Sequence, residues 1–159
     1  MNLLKIQQDL LKVIFKEEPE KVRFFHDDLF DRTFVMPNNH IGYLIPDEDL
    51  RVSLEGAQMV DPSVINLEGI VADGVTLIGT DEYRGGGDLR KYMKQTSDRA
   101  VYVDKTKLKN FDPSAVLVQL SDSPFYPVAV LEDKYNDGDL TIVGMVMPCK
   151  VKETEEAEA

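Results

Sequence analysis

Apolar residues recur at Leu3, Ile6, Leu10 and Ile14, at spacings of three and four, with Lys5, Asp9, Lys12 and Lys16 between them. This spacing predicts one amphipathic helix over residues 3–16, ended by Pro19. The next apolar runs, "VRFF", "RTFVM" and "IGYLIP", are short and rich in β-branched or aromatic residues. Asp27-Asp28 and Pro37-Asn38-Asn39 separate them, so they are predicted to be strands joined by turns.

From Ala100 the same order recurs. "AVYV" reads as a strand, and Asp104 can cap a short helix over "KTKLKNF" that Asp112-Pro113 stops. "AVLVQL", "YPVAVLE" and "LTIVGMVMP" then read as strands split by the turn compositions "SDSPF" and "KYNDGD". Helix followed by strands thus occurs at Leu3–Pro46 and at Lys105–Pro148, and the two copies close on "IGYLIP" and "VGMVMP". Runs this apolar are expected to be covered on both faces, near the middle of a sheet. Chance recurrence within an ordinary α+β chain is the competing explanation. In the middle, "LRVSL" alternates as a half-buried strand would, and "VTLIGT" follows a turn at Asp73-Gly74. Gly85-Gly86-Gly87 reads as a flexible connector, and "DLRKYMKQ" as a short basic helix with Asp88 as its N-cap. The expected fold is α+β: a duplicated helix-plus-three-or-four-strand unit, with two helices on one face of an antiparallel sheet.

Length and charge narrow this picture. A chain of 159 residues suits one domain, here residues 1–152 with the internal repeat at 3–46 and 100–151. The net charge is −11, yet Arg84 to Lys109 holds eight basic residues against three acidic ones, leaving −16 elsewhere. Glu153, Glu155, Glu156 and Glu158 lie in a terminus with no apolar residue larger than alanine, so residues 153–159 are expected to be a disordered acidic tail. No apolar run reaches the roughly eighteen residues of a membrane span, and the N-terminal pattern is interrupted by charges and glutamines; a cytoplasmic protein with no membrane contact is expected. Cys149 is the lone cysteine, which excludes an internal disulfide and a CxxC metal site.

The terminal "MVMPCKV", with "VYVDKTKLKNF" and "SPFYPVAVLED" before it, resembles the last domain of bacterial β sliding clamps, the processivity factors of DNA polymerases. The nearest likeness is to small single-domain clamp-like proteins of phage or gut bacteria. The resemblance covers Ala100–Val151, with weaker support over Leu3–Pro46. It implies helices that face the backbone of double-stranded DNA without reading bases, and so a DNA-contacting role for Lys5, Lys12, Lys16, Lys105, Lys107 and Lys109. It also implies a groove for short peptide motifs of replication proteins, lined by Met147, Pro148 and Val151. A bacterial clamp chain carries three such domains and closes into a dimeric ring, whereas this chain has room for one.

Other constellations are weaker. "HDDLFD" offers His26, Asp27, Asp28 and Asp31 as oxygen and nitrogen ligands, but strand alternation sends His26 and Asp28 to one side and Asp27 to the other, and a hairpin turn accounts for the acids. "RGGGDLRK" lacks the P-loop and dinucleotide spacings. Cys149 has no local histidine as base, His40 sits in a turn, and no pattern shows which of the 29 acids converge. The expected function is therefore non-enzymatic binding linked to replication or repair of phage or mobile-element DNA, with no cofactor and no metal. A structural or regulatory protein-interaction module is the alternative, and a hydrolase with dispersed carboxylates comes third. The apolar "MVMPCKV" and the open edges of a sheet point to a homo-oligomer.

Overall fold

The computed structural model describes residues 1–16, 19–121 and 124–151, so the expected tail at 153–159 lies outside the described residues. Helix α1 spans Leu3–Lys16. Three antiparallel strands follow: β1 (Arg23–Asp27), β2 (Arg32–Asn38) and β3 (Ile41–Pro46). A two-residue strand β4 (Gln58–Met59) and a short helix α2 (Leu67–Asp73) lead to β5 (Gly74–Arg84), β6 (Leu89–Lys94) and β7 (Ala100–Asp104). The last strands are β8 (Val116–Leu120), β9 (Val128–Glu132) and β10 (Thr141–Val146).

The ten strands of the described residues form one sheet in the order β4-β1-β2-β3-β10-β9-β8-β5-β6-β7. The two apolar runs are neighbours at its middle: Tyr43 faces Gly144, Gly42 faces Met145 and Ile41 faces Val146. Residues Ile41–Ile45 and Val143–Val146 are buried, as strands covered on both faces must be. Beyond β10 the chain continues to the far edge of the sheet, where the Cys149 N–H donates to the Tyr102 carbonyl at 2.8 Å. The β10-β9-β8-β5-β6-β7 half therefore curls until β7 meets the chain leaving β10, which covers an edge that would otherwise expose unpaired N–H and C=O groups.

Strand alternation divides the core between the two faces. One face carries Val35, Tyr43, Ile45, Leu117, Val128, Val130 and Val143, covered by Ile6 and Leu10 of α1. The other carries Phe34, Leu44, Val118, Ala129, Leu131 and Met145, covered by Leu67 and Ile70 of α2. Helices α1 and α2 thus lie on opposite faces, and α2 is not one of the two helices expected from the sequence. The helix expected over "KTKLKNF" is a single 3-10 turn, Lys105–Leu108, capped by Asp104 through the Thr106 N–H at 2.9 Å. Leu108 and Phe111 still pack on the α1 face. The seven residues of this segment before Asp112-Pro113 hold too few intrahelical bonds for a stable α-helix, so a turn suffices to bury the two apolar side chains.

Two other expectations are corrected. "DLRKYMKQ" is strand β6, because β5 and β7 satisfy its backbone from both sides; intrinsic preference is overridden by tertiary pairing. "LRVSL" does alternate, with Leu50, Val52 and Leu54 packed against the core, but it joins no ladder. Its backbone is held by the Gln7 side chain of α1, which donates to the Asp49 carbonyl at 3.1 Å and accepts from the Arg51 N–H at 2.5 Å. Gly85, Gly86 and Gly87 all have positive φ (59°, 74° and 97°), so the expected connector is a tight turn between β5 and β6 that needs glycine's backbone freedom. No helix of the described residues is long and apolar enough to cross a membrane.

Candidate functional site

The two lysine-bearing segments named from sequence, α1 and the turn after β7, are side by side. The Asn2 N–H donates to the Asn110 carbonyl at 2.7 Å, and the buried Asn110 amide reaches both Asp9 Oδ2 (3.3 Å) and the Tyr43 hydroxyl (3.2 Å). Burial drives the Tyr43 hydroxyl pKa up to about 12, so it remains a neutral partner at the centre of this contact. Burial would raise Asp9, but hydrogen bonds from Lys5 and Asn110 and the charges of Lys5 and Lys109 outweigh it and hold its carboxyl below the ordinary value.

The six nominated lysines differ in what surrounds them. Lys5 is paired with Asp9 at 3.1 Å, one helical turn away. Lys12 and Lys109 are exposed, and Lys16 ends α1. The Lys107 ammonium lies 3.8 Å from the Cys149 sulfur, and the Lys105 ammonium lies 5.6 Å from the Tyr83 ring centroid. The outer surface of α1 is not purely basic: Leu4, Leu11 and Phe15, at spacings of seven and four, are all exposed, Leu4 at 70% and Phe15 at 78%. Sequence periodicity picked out the buried stripe of α1 and passed over this second one, although its spacing is equally helical.

The residues expected to line a peptide groove are divided. Met147 packs against the α2-side core and donates its N–H to the His40 carbonyl at 2.8 Å. Pro148 is half-buried, while Val151 and Cys149 line a separate surface groove with Phe125 and Tyr102. The apolar run that enters this terminus is covered by β3 and β9 of the same chain.

At the opposite end, His26 sits between two carboxylates, with Nδ1 2.5 Å from Asp28 and Nε2 2.5 Å from Asp47. The hydrogen bonds to Asp47 and then Asp28 raise its pKa above the ordinary 6.5. Asp27 points elsewhere, to Arg32 at 3.0 Å, as the strand alternation requires. The cluster is an exposed ionic latch between the β1 hairpin and the turn after β3. Among the described residues, no group of three His, Cys, Asp or Glu side chains is arranged to hold a metal ion. No family model, no curated protein and no solved structure matches this chain.

Proposed function

We propose that this chain is a non-enzymatic, clamp-domain-like binding module whose working face is formed by α1 and the Lys105–Leu108 turn, and whose ligand is the phosphate backbone of double-stranded DNA. The observation that carries the reading is the side-by-side placement of these segments on one face of the sheet, tied through Asn2, Asp9 and Asn110. It brings Lys5 of α1 and Lys109 beside the same carboxylate, Asp9, and cations from two distant segments near one another are what contact with a polyanion would use. The central β3–β10 pair supports the duplicated-unit reading, with a helix or turn and three strands on either side of it. The two units then correspond with a shift of one residue: the β10 register breaks between Ile142 and Gly144, so Gly42 and Gly144 are not equivalent positions.

Fluorescence anisotropy with a short duplex of arbitrary sequence tests this. Binding is expected at about 20 mM salt and should fall steeply by about 200 mM as fewer counterions are released. The double change Lys12→Glu and Lys109→Glu should abolish it, and no binding by the unaltered chain at low salt would overturn the DNA reading. A second reading is favoured by Leu4, Leu11 and Phe15: the α1 face packs against a second copy of this chain, the protein-interaction alternative. Light scattering over a concentration series distinguishes it, since a dimer that Phe15→Glu converts to monomer would place α1 in the contact.

A further inference from the structure

Beside the Lys105–Leu108 turn is a cavity of about 390 Å³, within the size range of small-molecule sites. Where α1 covers its part of the sheet with four turns of helix, the second cover is one turn long, and the space it leaves is this cavity. Its walls are apolar and aromatic, with Leu77, Leu108 and Leu117 accompanying the rings of Tyr83, Tyr92 and Phe111. Three groups in it carry charge: Arg90, Lys105 and Asp112.

Arg90 is fixed by its neighbours. Arg90 donates from Nε to the Thr80 carbonyl at 2.9 Å, and its guanidinium carbon lies 5.3 Å from the Tyr92 ring centroid. Among the described residues, neither Arg90 nor Lys105 is in an ion pair. The fold makes room for this arrangement. Between Gly79 and Tyr83 the β5–β6 register breaks, so that three residues of β5 oppose Lys91 alone, which brings the Thr80 carbonyl to Arg90. A Cβ on Gly79 would stand 2.6 Å from the guanidinium, so only glycine lets Arg90 lie there.

We propose that this cavity binds a small molecule with a flat ring and an anionic group, the ring among Tyr83, Tyr92 and Phe111 and the anion between Arg90 and Lys105. Aromatic faces give stacking area at low entropic cost, and two cations outside any ion pair, in a chain of net charge −11, are the complement of a phosphate or carboxylate. The Asp112 carboxylate is held low by its bonds to Ser114, so it stays charged. It disfavours a second anionic group at its wall and accepts a ring N–H. Lys105 is shared with the DNA reading, but Arg90, Gly79 and the rings are not, so Arg90→Ala and Gly79→Ala test the cavity independently of that reading.

Titration of the full chain with AMP, followed by calorimetry and by amide NMR shifts, tests it, with adenosine, ribose 5-phosphate and inorganic phosphate as comparison ligands. Saturable AMP binding is expected, with shifts centred on Gly79, Tyr83 and Leu108. Arg90→Ala should weaken it at least about tenfold, the worth of a charge-assisted hydrogen bond. Gly79→Ala should weaken it by displacing the guanidinium, and Lys105→Gln, a change at an exposed side chain, should weaken it without altering the fold. Lys12→Glu should leave it unchanged. No saturable binding, or equal binding of inorganic phosphate alone, would overturn the proposal, as would shifts that map outside the cavity.

Discussion

The two covers of one sheet face differ more than anything else in this molecule. The first is α1, with Ile6 and Leu10 fully buried over β2 and β3. The second, beside β7, is one 3-10 turn that inserts Leu108 and Phe111, the latter against Tyr43 and Gly144, and then meets Pro113. The difference is set locally. "LLKIQQDLLKVIFK" sustains the three-four spacing over its whole length, whereas "KTKLKNF" has a good cap but only two apolar residues before a proline. The consequence is structural and functional together. The long cover buries Ile6 and Leu10 fully, and the short one leaves a cavity rimmed by Lys105 and Arg90.

This contrast can be broken by measurement. The largest effect is expected at Leu10→Ala, which should cost about 2–5 kcal/mol in urea unfolding because a fully buried side chain leaves a cavity. Leu108→Ala, at a half-buried position beside existing empty space, should cost only about 1 kcal/mol, near the centre of ordinary substitutions. Equal losses would mean that the turn is as tightly packed as the helix and that the two covers do not differ as described.

A finer test concerns the two glycines of the central strands. A Cβ on Gly42 would overlap the Phe34 ring on the α2 face, and one on Gly144 would meet the Phe111 ring at 2.8 Å on the α1 face as well as the Gly42 carbonyl. Each glycine-to-alanine change should cost about 1–3 kcal/mol by overpacking. Phe34→Leu should recover part of the loss in Gly42→Ala alone, and Phe111→Leu part of the loss in Gly144→Ala alone. Recovery of both by one change would place the glycines on the same face.

The smallest effect is expected far from both covers, at His26. Its folded-state pKa is raised above 6.5 by Asp47 and Asp28, so the stability it contributes is fully present below that value. That contribution is lost as pH rises through the raised value. The melting temperature of the unaltered chain minus that of His26→Gln should therefore shrink across this interval, and a difference that grows with pH would contradict the latch.

Local pattern was enough to read α1, the strands from β1 to β3 and from β7 to β10, the start of β5 and the central burial of the two apolar runs. Each of these follows from local periodicity, turn residues and the continuous apolarity of a doubly covered strand. It also located the basic segment, from which Arg90 and Lys105 come. Tertiary structure decided the rest. Helix α2 lay unseen between "LRVSL" and "VTLIGT" because seven residues carry less than two turns of periodicity. "DLRKYMKQ" became β6 because strands on both sides took its backbone bonds, a circumstance no local window contains. The glycine-to-glycine match of "IGYLIP" and "VGMVMP" failed for a similar reason. A side chain's face alternates with every residue, so one irregularity at Ile142–Gly144 reverses which side of the sheet a residue serves, and only the pairing of strands distant in sequence records it. The cavity is the clearest case. No pattern in the sequence joins Tyr83, Arg90, Lys105 and Phe111, and they become a candidate site only because a bulge, a glycine and a helix that is too short bring them together around empty space.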